Sequence, residues 1–474
     1  MFDVCIIGGG VVGTAILNKL TRLGKSCALI EIQNDVGFGA SRANTALIHS
    51  GIDCKPGTLK AKLNVRGNAL FPSLAKRLGV PFVQNGHLIV GNDEDKLIDL
   101  VCRADKNGVK GVKLLRGAEL HSLEPNLSKA IKSGLFVPSG GMISSYNLAV
   151  AFVEESILNG ASVLLEFDTK TIIKQDGEFV LKSTDGRIVC AKSIINACGE
   201  GYNKIANLIG SEEYDLIFRR GEYFLLDRTA KEYALHPVFP LPTEYSKGIL
   251  VSPTVHGNIL VGPTSIVSDC AEITTEEGLN IIKKEVASTF ENVPFKENIR
   301  VFSGVRTICG EDFIIEKSGK VDGVINIAGI CSPGLSASPA IAEFVAELLG
   351  LKPNKEKRNL KKRKPLTALN EMTMVEQNKI IKNNPDFGKV VCRCENISLG
   401  EIKECLNSPL PVKSVDAVKR RTRAGMGRCQ GGFCIFQVME EIAKANKIEF
   451  SEVVKDGVDS QIIRSKIKPV KVEK

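Results

Sequence analysis

Apolar and polar positions divide this chain into stretches of different period. Val4-Cys5-Ile6-Ile7 is a short β-type run that leads through Gly8-Gly9-Gly10-Val11-Val12-Gly13 into residues of helical spacing, Thr14 to Leu23. A second apolar run then ends on an acid, Leu29-Ile30-Glu31. Strand, glycine-rich turn, helix and strand in that order predict a βαβ unit with parallel strands. Short strands are predicted around Val80–Val83 and Gly86–Gly91, with a helix before Leu123-Glu124-Pro125-Asn126. Gly141 to Glu155 predicts a helix, Ala161 to Phe167 a strand, and Asp176-Gly177 a hairpin turn within a meander. Phe218 to Gly304 reads mostly as strands, with His256-Gly257-Asn258 turning between two of them. Alternation over such lengths predicts an antiparallel sheet with one covered face. Ala340 to Leu351 is interrupted by Glu343 and Glu347, so it predicts an amphipathic helix. No apolar run is long enough to span a bilayer.

At 474 residues the chain is expected to form more than one domain. The expected fold class is α/β: a Rossmann-type nucleotide domain with an inserted antiparallel-sheet (α+β) substrate domain, followed by a small, mainly helical C-terminal domain. The nucleotide domain is expected from residues 1–78, 141–212 and 305–350, and the substrate domain from 79–140 and 213–304. A basic linker is expected at 351–388 and the last domain at 389–474.

Gly8, Gly10 and Gly13 have the G-x-G-x-x-G spacing between the first strand and helix. Gly8 suits the tight turn, Gly10 lets backbone approach a pyrophosphate, and Gly13 lets the helix pack close on the strand. An anion there meets the N–H groups and positive dipole end of the helix. Glu31 ends the second apolar run, where a carboxylate can accept from a ribose diol and repels a 2′-phosphate.

Lys and Arg number 63 against 54 Asp and Glu, a formal charge of +9. Leu351 to Pro365 alone carries eight Lys/Arg against one Glu, so the rest is nearly neutral and nucleic acid is not an indicated partner. The basic stretch reads as a solvated linker, or as a peripheral contact for anionic lipid or an acidic protein. Fourteen cysteines with no basic leader ahead of the first strand suggest a reducing, cytoplasmic setting, at most peripheral at the inner face of the membrane.

Ser41-Arg42-Ala43-Asn44-Thr45-Ala46-Leu47-Ile48-His49-Ser50-Gly51 resembles the segment after the first βαβ unit in FAD-dependent oxidoreductases of the D-amino-acid-oxidase type. It is closest to the branch of anaerobic glycerol-3-phosphate dehydrogenase and L-2-hydroxyglutarate oxidase. The resemblance implies that Ser41, Arg42, Asn44 and Thr45 line FAD and that His49 lies beside the flavin. Ile194-Ile195-Asn196-Ala197-Cys198-Gly199 resembles the strand by which this family returns to the cofactor, with Gly199 near the adenosine side. Gly329 to Pro339 precedes an apolar helix, and Gly329, Gly334 and Leu335 are placed at the cofactor by the same resemblance. A helix start there would stabilise negative charge on reduced flavin.

Ten cysteines are scattered, but Cys392, Cys394, Cys429 and Cys434 form C-x-C and C-x-x-x-x-C pairs. Four thiolates in two tight pairs suit an iron–sulfur cluster, with zinc as the rival occupant. The segment resembles the bacterioferritin-associated-ferredoxin-like domain, which implies a [2Fe–2S] cluster on these four. Arg393, Lys419, Arg420, Arg421, Arg423 and Arg428 are expected to offset the cluster's negative charge.

A two-electron flavin joined to a one-electron cluster implies a dehydrogenase with an electron exit route. The expected substrate is a small anionic hydroxy compound, with Arg306 as its anion clamp and His49 as the base. By resemblance sn-glycerol 3-phosphate leads, followed by L-2-hydroxyglutarate and then an amine or amino acid. A redox partner subunit is expected, and a non-catalytic electron-transfer subunit is the alternative of another class.

Overall fold

The computed structural model describes residues 1–241, 248–268 and 273–464. The chain forms two compact units, Met1–Ile30 with Val36–Arg363, and Glu31–Asp35 with Lys364 onward.

In the first unit, Phe2–Ile7 pairs in parallel with Cys27–Ile30 on one side and Ile188–Asn196 on the other. Ser162–Leu164 extends the sheet beyond Cys27–Ile30, and Val324–Ala328 joins Ile188–Asn196, both in parallel. The meander expected around Asp176-Gly177 runs Thr169–Gln175, Glu178–Ser183 and Ile188–Asn196, with Thr169–Gln175 at the edge of the sheet. Parallel strands need crossovers, and helices Val11–Arg22 and Ser145–Leu158 supply them between the first strands. Val11–Arg22 packs between Ser145–Leu158 and Gly334–Leu348. Buried Asn18 donates to the Phe152 carbonyl and the Glu155 carboxylate, and Arg22 and Arg77 pair with the same carboxylate. That buried charge is therefore compensated.

Helix Leu59–Leu78 crosses Gly334–Leu348 at Gly67, where a Cβ would come 2.0 Å from the Ser336 carbonyl oxygen. Gly334–Leu348 is less amphipathic than its sequence suggests: Ser336 to Ala342 are all buried, while Glu343 pairs with Arg66 at 2.9 Å.

The second layer of this unit is a nine-stranded sheet. Its spine is Ile217–Leu226, antiparallel to Asn298–Ile308 along its whole length. Both inserted segments build this sheet, and they meet where Val238–Pro240 pairs in parallel with His87–Gly91. That junction departs from the all-antiparallel sheet expected from alternation, because it joins strands far apart in sequence. Its core includes Leu88, Phe224, Leu226, Val251, Val261 and Phe290.

The stretch after the last long helix is ordered by charge. Glu356 accepts from Lys19 and Arg22, Lys361 N–H donates to Asn159, and Arg363 pairs with Glu154.

The second unit is small and mainly helical. The strands Val390–Cys392 and Ile397–Ser398 form a hairpin, followed by helices Leu399–Leu406, Val415–Thr422 and Ile435–Asn446. Ser398 and Glu401 form a reciprocal capping box at the first of these, the arrangement that satisfies two orphan N–H groups at once. Val391, Ile402, Val418, Met439 and Ile442 fill the core.

Candidate functional site

The glycine turn has the geometry that its spacing requires. Gly8 sits at φ +111°, and a Cβ there would lie 2.5 Å from the Ala197 carbonyl oxygen. A Cβ at Gly13 would lie 2.0 Å from the Gly8 oxygen, so only glycine allows this helix to start so close to the strand. Gly10 precedes helix Val11–Arg22 and makes no side-chain cap. The Val11 N–H instead donates to Ser41 Oγ at 2.9 Å. Ser145 Oγ and Asn44 Nδ2 both donate to the Ser41 carbonyl, and the Asn44 oxygen accepts from Ala46 N–H at 2.6 Å. Asn44 therefore braces its own loop, in which Ala46 takes a left-handed φ of +57°. Arg42 lies over the Phe38 ring at 4.6 Å. Glu31 follows strand Cys27–Ile30 and accepts from Gln33 N–H at 2.9 Å. Gly199, at φ +55°, has open space where a Cβ would be.

On adjacent antiparallel strands, residues directly opposite share a face. Arg219 stands opposite Arg306, Gly221 opposite Gly304, and Tyr223 opposite Phe302. One face of the sheet thus carries a pair of arginines and a stacked aromatic pair, with rings 4.8 Å apart, separated by two glycines. The glycines admit backbone: a Cβ at Gly304 would lie 2.1 Å from the Ala43 carbonyl oxygen. The segment that carries Ala43 and Thr45 therefore lies directly on this face. Tyr223 shares a hydrogen bond with Thr45, and burial raises its pKa against the opposing pull of Arg306. Arg306 is half-buried and donates to the Thr264 carbonyl at 2.7 Å.

His49 is held through its backbone. Its N–H donates to Ser336 Oγ at 2.7 Å, and its carbonyl accepts from Asn68 Nδ2 at 3.1 Å. The imidazole packs against Phe239, whose ring also meets His87. Burial first, and then the proximity of His49, push the His87 pKa down to about 3, so it is neutral. Gly329, at φ +65°, and Gly334 and Leu335 lie at the turn into helix Gly334–Leu348.

Tyr223, Thr264, Ser336, Asn68 and Phe239 were not singled out by sequence reasoning. Alternation along Ile217–Leu226 puts Tyr223 on the same face as Arg219, but nothing within that strand selects the partner strand that carries Arg306.

In the second unit the four organised thiols meet across the two sequence pairs: Cys392 faces Cys434 and Cys394 faces Cys429. Cys392 is lowered to about 6 by its hydrogen bond with Cys434, with burial opposing and Gly425 N–H donating to the sulfur at 3.4 Å. Burial works against Cys429, yet Cys394 and the N–H groups of Phe433, Gly431 and Gly432 lower it below the ordinary thiol range. Such N–H···S contacts favour thiolate over thiol. Among the described residues, no set of three His, Cys, Asp or Glu side chains closes round a single ion.

The expected cationic shell is corrected at three positions. Arg421 and Arg420 pair with Asp35, Arg420 also with Asp456, and Arg423 with Glu395. Their charges are balanced by carboxylates, because a buried guanidinium is costly without one. Arg393, between Cys392 and Cys394, and Arg428, before Cys429, are exposed.

Comparison with known proteins agrees with both centres. Residues 3–348 match the model of FAD-dependent oxidoreductases, and residues 390–444 match that of the BFD-like [2Fe-2S] binding domain. The chain is 39% identical over 473 residues to a glycerol 3-phosphate dehydrogenase of Caloramator mitchellensis, covering 98% of each. It is 29% identical over 368 residues to a glycerol 3-phosphate oxidase of Mycoplasma pneumoniae, covering 75% of this chain and 96% of that one. Among solved structures, dithionite-reduced L-alpha-glycerophosphate oxidase from Mycoplasma pneumoniae with FAD bound superposes with a TM-score of 0.72 at 29% identity, over 76% of this chain and 97% of that one. The glycerol-3-phosphate dehydrogenase from Bacillus halodurans complexed with FAD shares the fold, with a TM-score of 0.63 at 17% identity over 94% of this chain and 89% of that one. With a dinucleotide turn at one end and two facing thiol pairs at the other, the chain belongs to the FAD-dependent oxidoreductases, with FAD and a [2Fe–2S] cluster as its cofactors.

Proposed function

We propose that this enzyme oxidises sn-glycerol 3-phosphate to dihydroxyacetone phosphate and delivers the electrons through its cysteine centre to a one-electron acceptor. The observation that carries this reading is the match to a glycerol 3-phosphate dehydrogenase over 98% of the chain, through both cofactor modules. The glycerol 3-phosphate oxidase relative covers only 75% of it. A covalently joined electron outlet is what a dehydrogenase needs and an oxygen-using oxidase does not.

The residues present fit both cofactors. The glycine turn from Gly8 to Gly13 and the open space at Gly199 suit a dinucleotide, with Ser41, Arg42, Asn44 and Thr45 along its path and Glu31 at its ribose. Gly329, Gly334 and Leu335 bring a helix start toward its other end. Cys392, Cys394, Cys429 and Cys434 suit two irons better than one ion, since the thiols stand in facing pairs. When bound, FAD supplies a two-electron acceptor and the cluster a one-electron carrier.

Arg306 holds the phosphate, its guanidinium fork matching the anion while one N–H stays on Thr264. Converting the carbinol to a ketone removes two electrons and two protons. His49 takes the hydroxyl proton as the hydride leaves carbon. Ser336 and Asn68 fix the backbone that carries the imidazole.

The test is anaerobic bleaching of the bound flavin by sn-glycerol 3-phosphate, L-2-hydroxyglutarate and a panel of amino acids. Rapid bleaching by glycerol 3-phosphate alone is expected. Faster bleaching by L-2-hydroxyglutarate would overturn the substrate assignment.

A further inference from the structure

Glu31 follows strand Cys27–Ile30 directly, yet residues Glu31–Asp35 group with the second compact unit and not with the first. The segment forms neither helix nor strand, so no backbone ladder fixes its shape. The residues that flank it are tied to the glycine turn: the Ile30 carbonyl accepts from Gly8 N–H at 3.0 Å, and Gly37 N–H donates to the Gly9 carbonyl at 2.9 Å. What lies between is held by side chains.

Those side chains meet residues near the end of the sequence. Asp35 is fully buried, and Arg421 grips it with both arms of the guanidinium, Nη1 to Oδ2 at 2.7 Å and Nη2 to Oδ1 at 2.8 Å. Arg420 donates to Asp35 Oδ2 at 3.2 Å and to Asp456 at 2.7 Å. Asn34, also buried, donates to the Asp456 carbonyl at 2.6 Å. Glu31 itself accepts from Gln33 N–H at 2.9 Å, so the acid is braced within the same loop.

Stability alone does not call for such an arrangement. Taking charges out of water costs about as much as pairing them returns, and apolar side chains would fill a buried place as well. A forked pair adds geometry, because two parallel hydrogen bonds fix both distance and angle.

We propose that Asp35, gripped by Arg421 and Arg420, is a positioning residue for FAD that sets where Glu31 meets the ribose. This rests on the reading that Glu31 accepts from the ribose diol, and it gives residues of the iron–sulfur unit control over flavin affinity. Both arginines stand on helix Val415–Thr422, outside the thiol pairs, so loss of iron should leave the tie in place.

The experiment titrates the full-length protein, freed of flavin and with its iron retained, following the quenching of flavin fluorescence. Two ligands are compared: FAD, and FAD whose adenosine ribose lacks the 2′-hydroxyl. The parent should prefer FAD about 10-fold, the worth of a hydrogen bond to a charged group. Arg421→Lys keeps the positive charge on Asp35 but loses the fork, so it tests position apart from charge. It should bind FAD about 10-fold more weakly and the deoxy analogue as the parent does, so that the preference disappears. Asp35→Asn should behave alike, and if it fails to fold Arg421→Lys decides the matter.

A variant that weakens both ligands equally and keeps the preference would overturn the proposal, since general loosening of the loop does that. So would Arg421→Lys with parental affinity for both. The underlying reading is tested separately by Glu31→Ala. If that variant still prefers FAD, Glu31 is not at the ribose. If it loses the preference while Arg421→Lys keeps it, only the positioning role is wrong.

Discussion

Ser336 is the hinge between His49 and the helix that begins at Gly334. Its hydroxyl oxygen accepts from the His49 N–H at 2.7 Å, and its O–H donates to the Leu47 carbonyl at 3.2 Å. Ser336 is fully buried, so removing its hydroxyl leaves a donor and an acceptor without a partner. Such a loss costs about 1–3 kcal/mol. His49→Ala is expected to lower the limiting rate of substrate-driven flavin bleaching roughly 10²–10⁴-fold, the usual contribution of a positioned base. Ser336→Ala should lower it about 10-fold, the effect of losing about 1.4 kcal/mol from the hold on that base. In the double variant the two losses should not add, because Ser336 acts through His49. Stopped-flow reduction of all three variants checks this, and additive losses would detach Ser336 from the imidazole.

Gly10 separates the fold from the cofactor. A Cβ there meets only Ser41 Oγ, at 3.3 Å, whereas at Gly13 it would strike backbone at 2.0 Å. Gly10→Val should therefore fold and purify without flavin, its branched side chain filling the approach to the helix start. Gly13→Ala should instead reduce the yield of folded protein. The ratio of flavin to protein absorbance, with circular dichroism of each variant, decides between them.

Arg306→Met keeps much of the apolar stem and deletes the charge. Substrate-driven bleaching should weaken by about 2–5 kcal/mol, as for truncating one partner of a buried charged pair. Flavin content should be unchanged, because the contacts of Arg306 are with Thr264 and the sheet face. Unaltered concentration dependence with glycerol 3-phosphate would move the role to another cation, with Arg219, directly opposite on the neighbouring strand, first in line.

Glu356 gives the first unit a pH-dependent tie. Burial alone would raise its pKa, but hydrogen bonds from Arg22 and Lys19 bring it down to about 2 from an ordinary 4.5. A carboxylate lowered on folding stabilises the fold above its unfolded pKa and loses that contribution as pH falls through the folded value. Because the group is partly exposed, its contribution is about 1 kcal/mol. Glu356→Gln should be less stable than the parent by that amount at pH 7, with the gap narrowing from about pH 4.5 downward. Urea unfolding at pH 7, 4 and 3 measures it.

Legibility followed the range of the interactions. The first βαβ unit was readable because the spacing of Gly8, Gly10 and Gly13 lies within one short stretch, and at Gly13 the steric reason is local, the Gly8 carbonyl oxygen five positions before it. The parallel junction of Val238–Pro240 with His87–Gly91 was not, because nothing in either strand specifies a partner so distant in sequence. Tyr223 and Ser336 were hidden for the same reason: their partners, Thr45 and His49, come from other parts of the chain. The arginines near the thiols misled because sequence proximity to a ligand does not reveal a buried carboxylate such as Asp35 that takes up the charge.

Cys434 carries the last and most decisive prediction. Its thiol faces Cys392, and the two belong to different sequence pairs, so Cys434→Ala breaks one facing pair and leaves Cys394 with Cys429. The variant should lose its iron, because an iron ligated by Cys392 alone lacks the second thiolate. The alanine side chain would still fill most of a small buried position at the start of helix Ile435–Asn446, so the unit should keep its helical signal. Flavin should remain bound, since the glycine turn and its surroundings lie in the first unit. Bleaching by glycerol 3-phosphate should proceed near the parent rate, while turnover with a one-electron acceptor falls sharply. Iron analysis and low-temperature paramagnetic resonance of the reduced parent supply the baseline of two irons per chain and a cluster signal. Zinc in place of iron in the parent, or full acceptor turnover in the variant, would leave the cysteine centre a structural element and return the oxygen-using reading to first place.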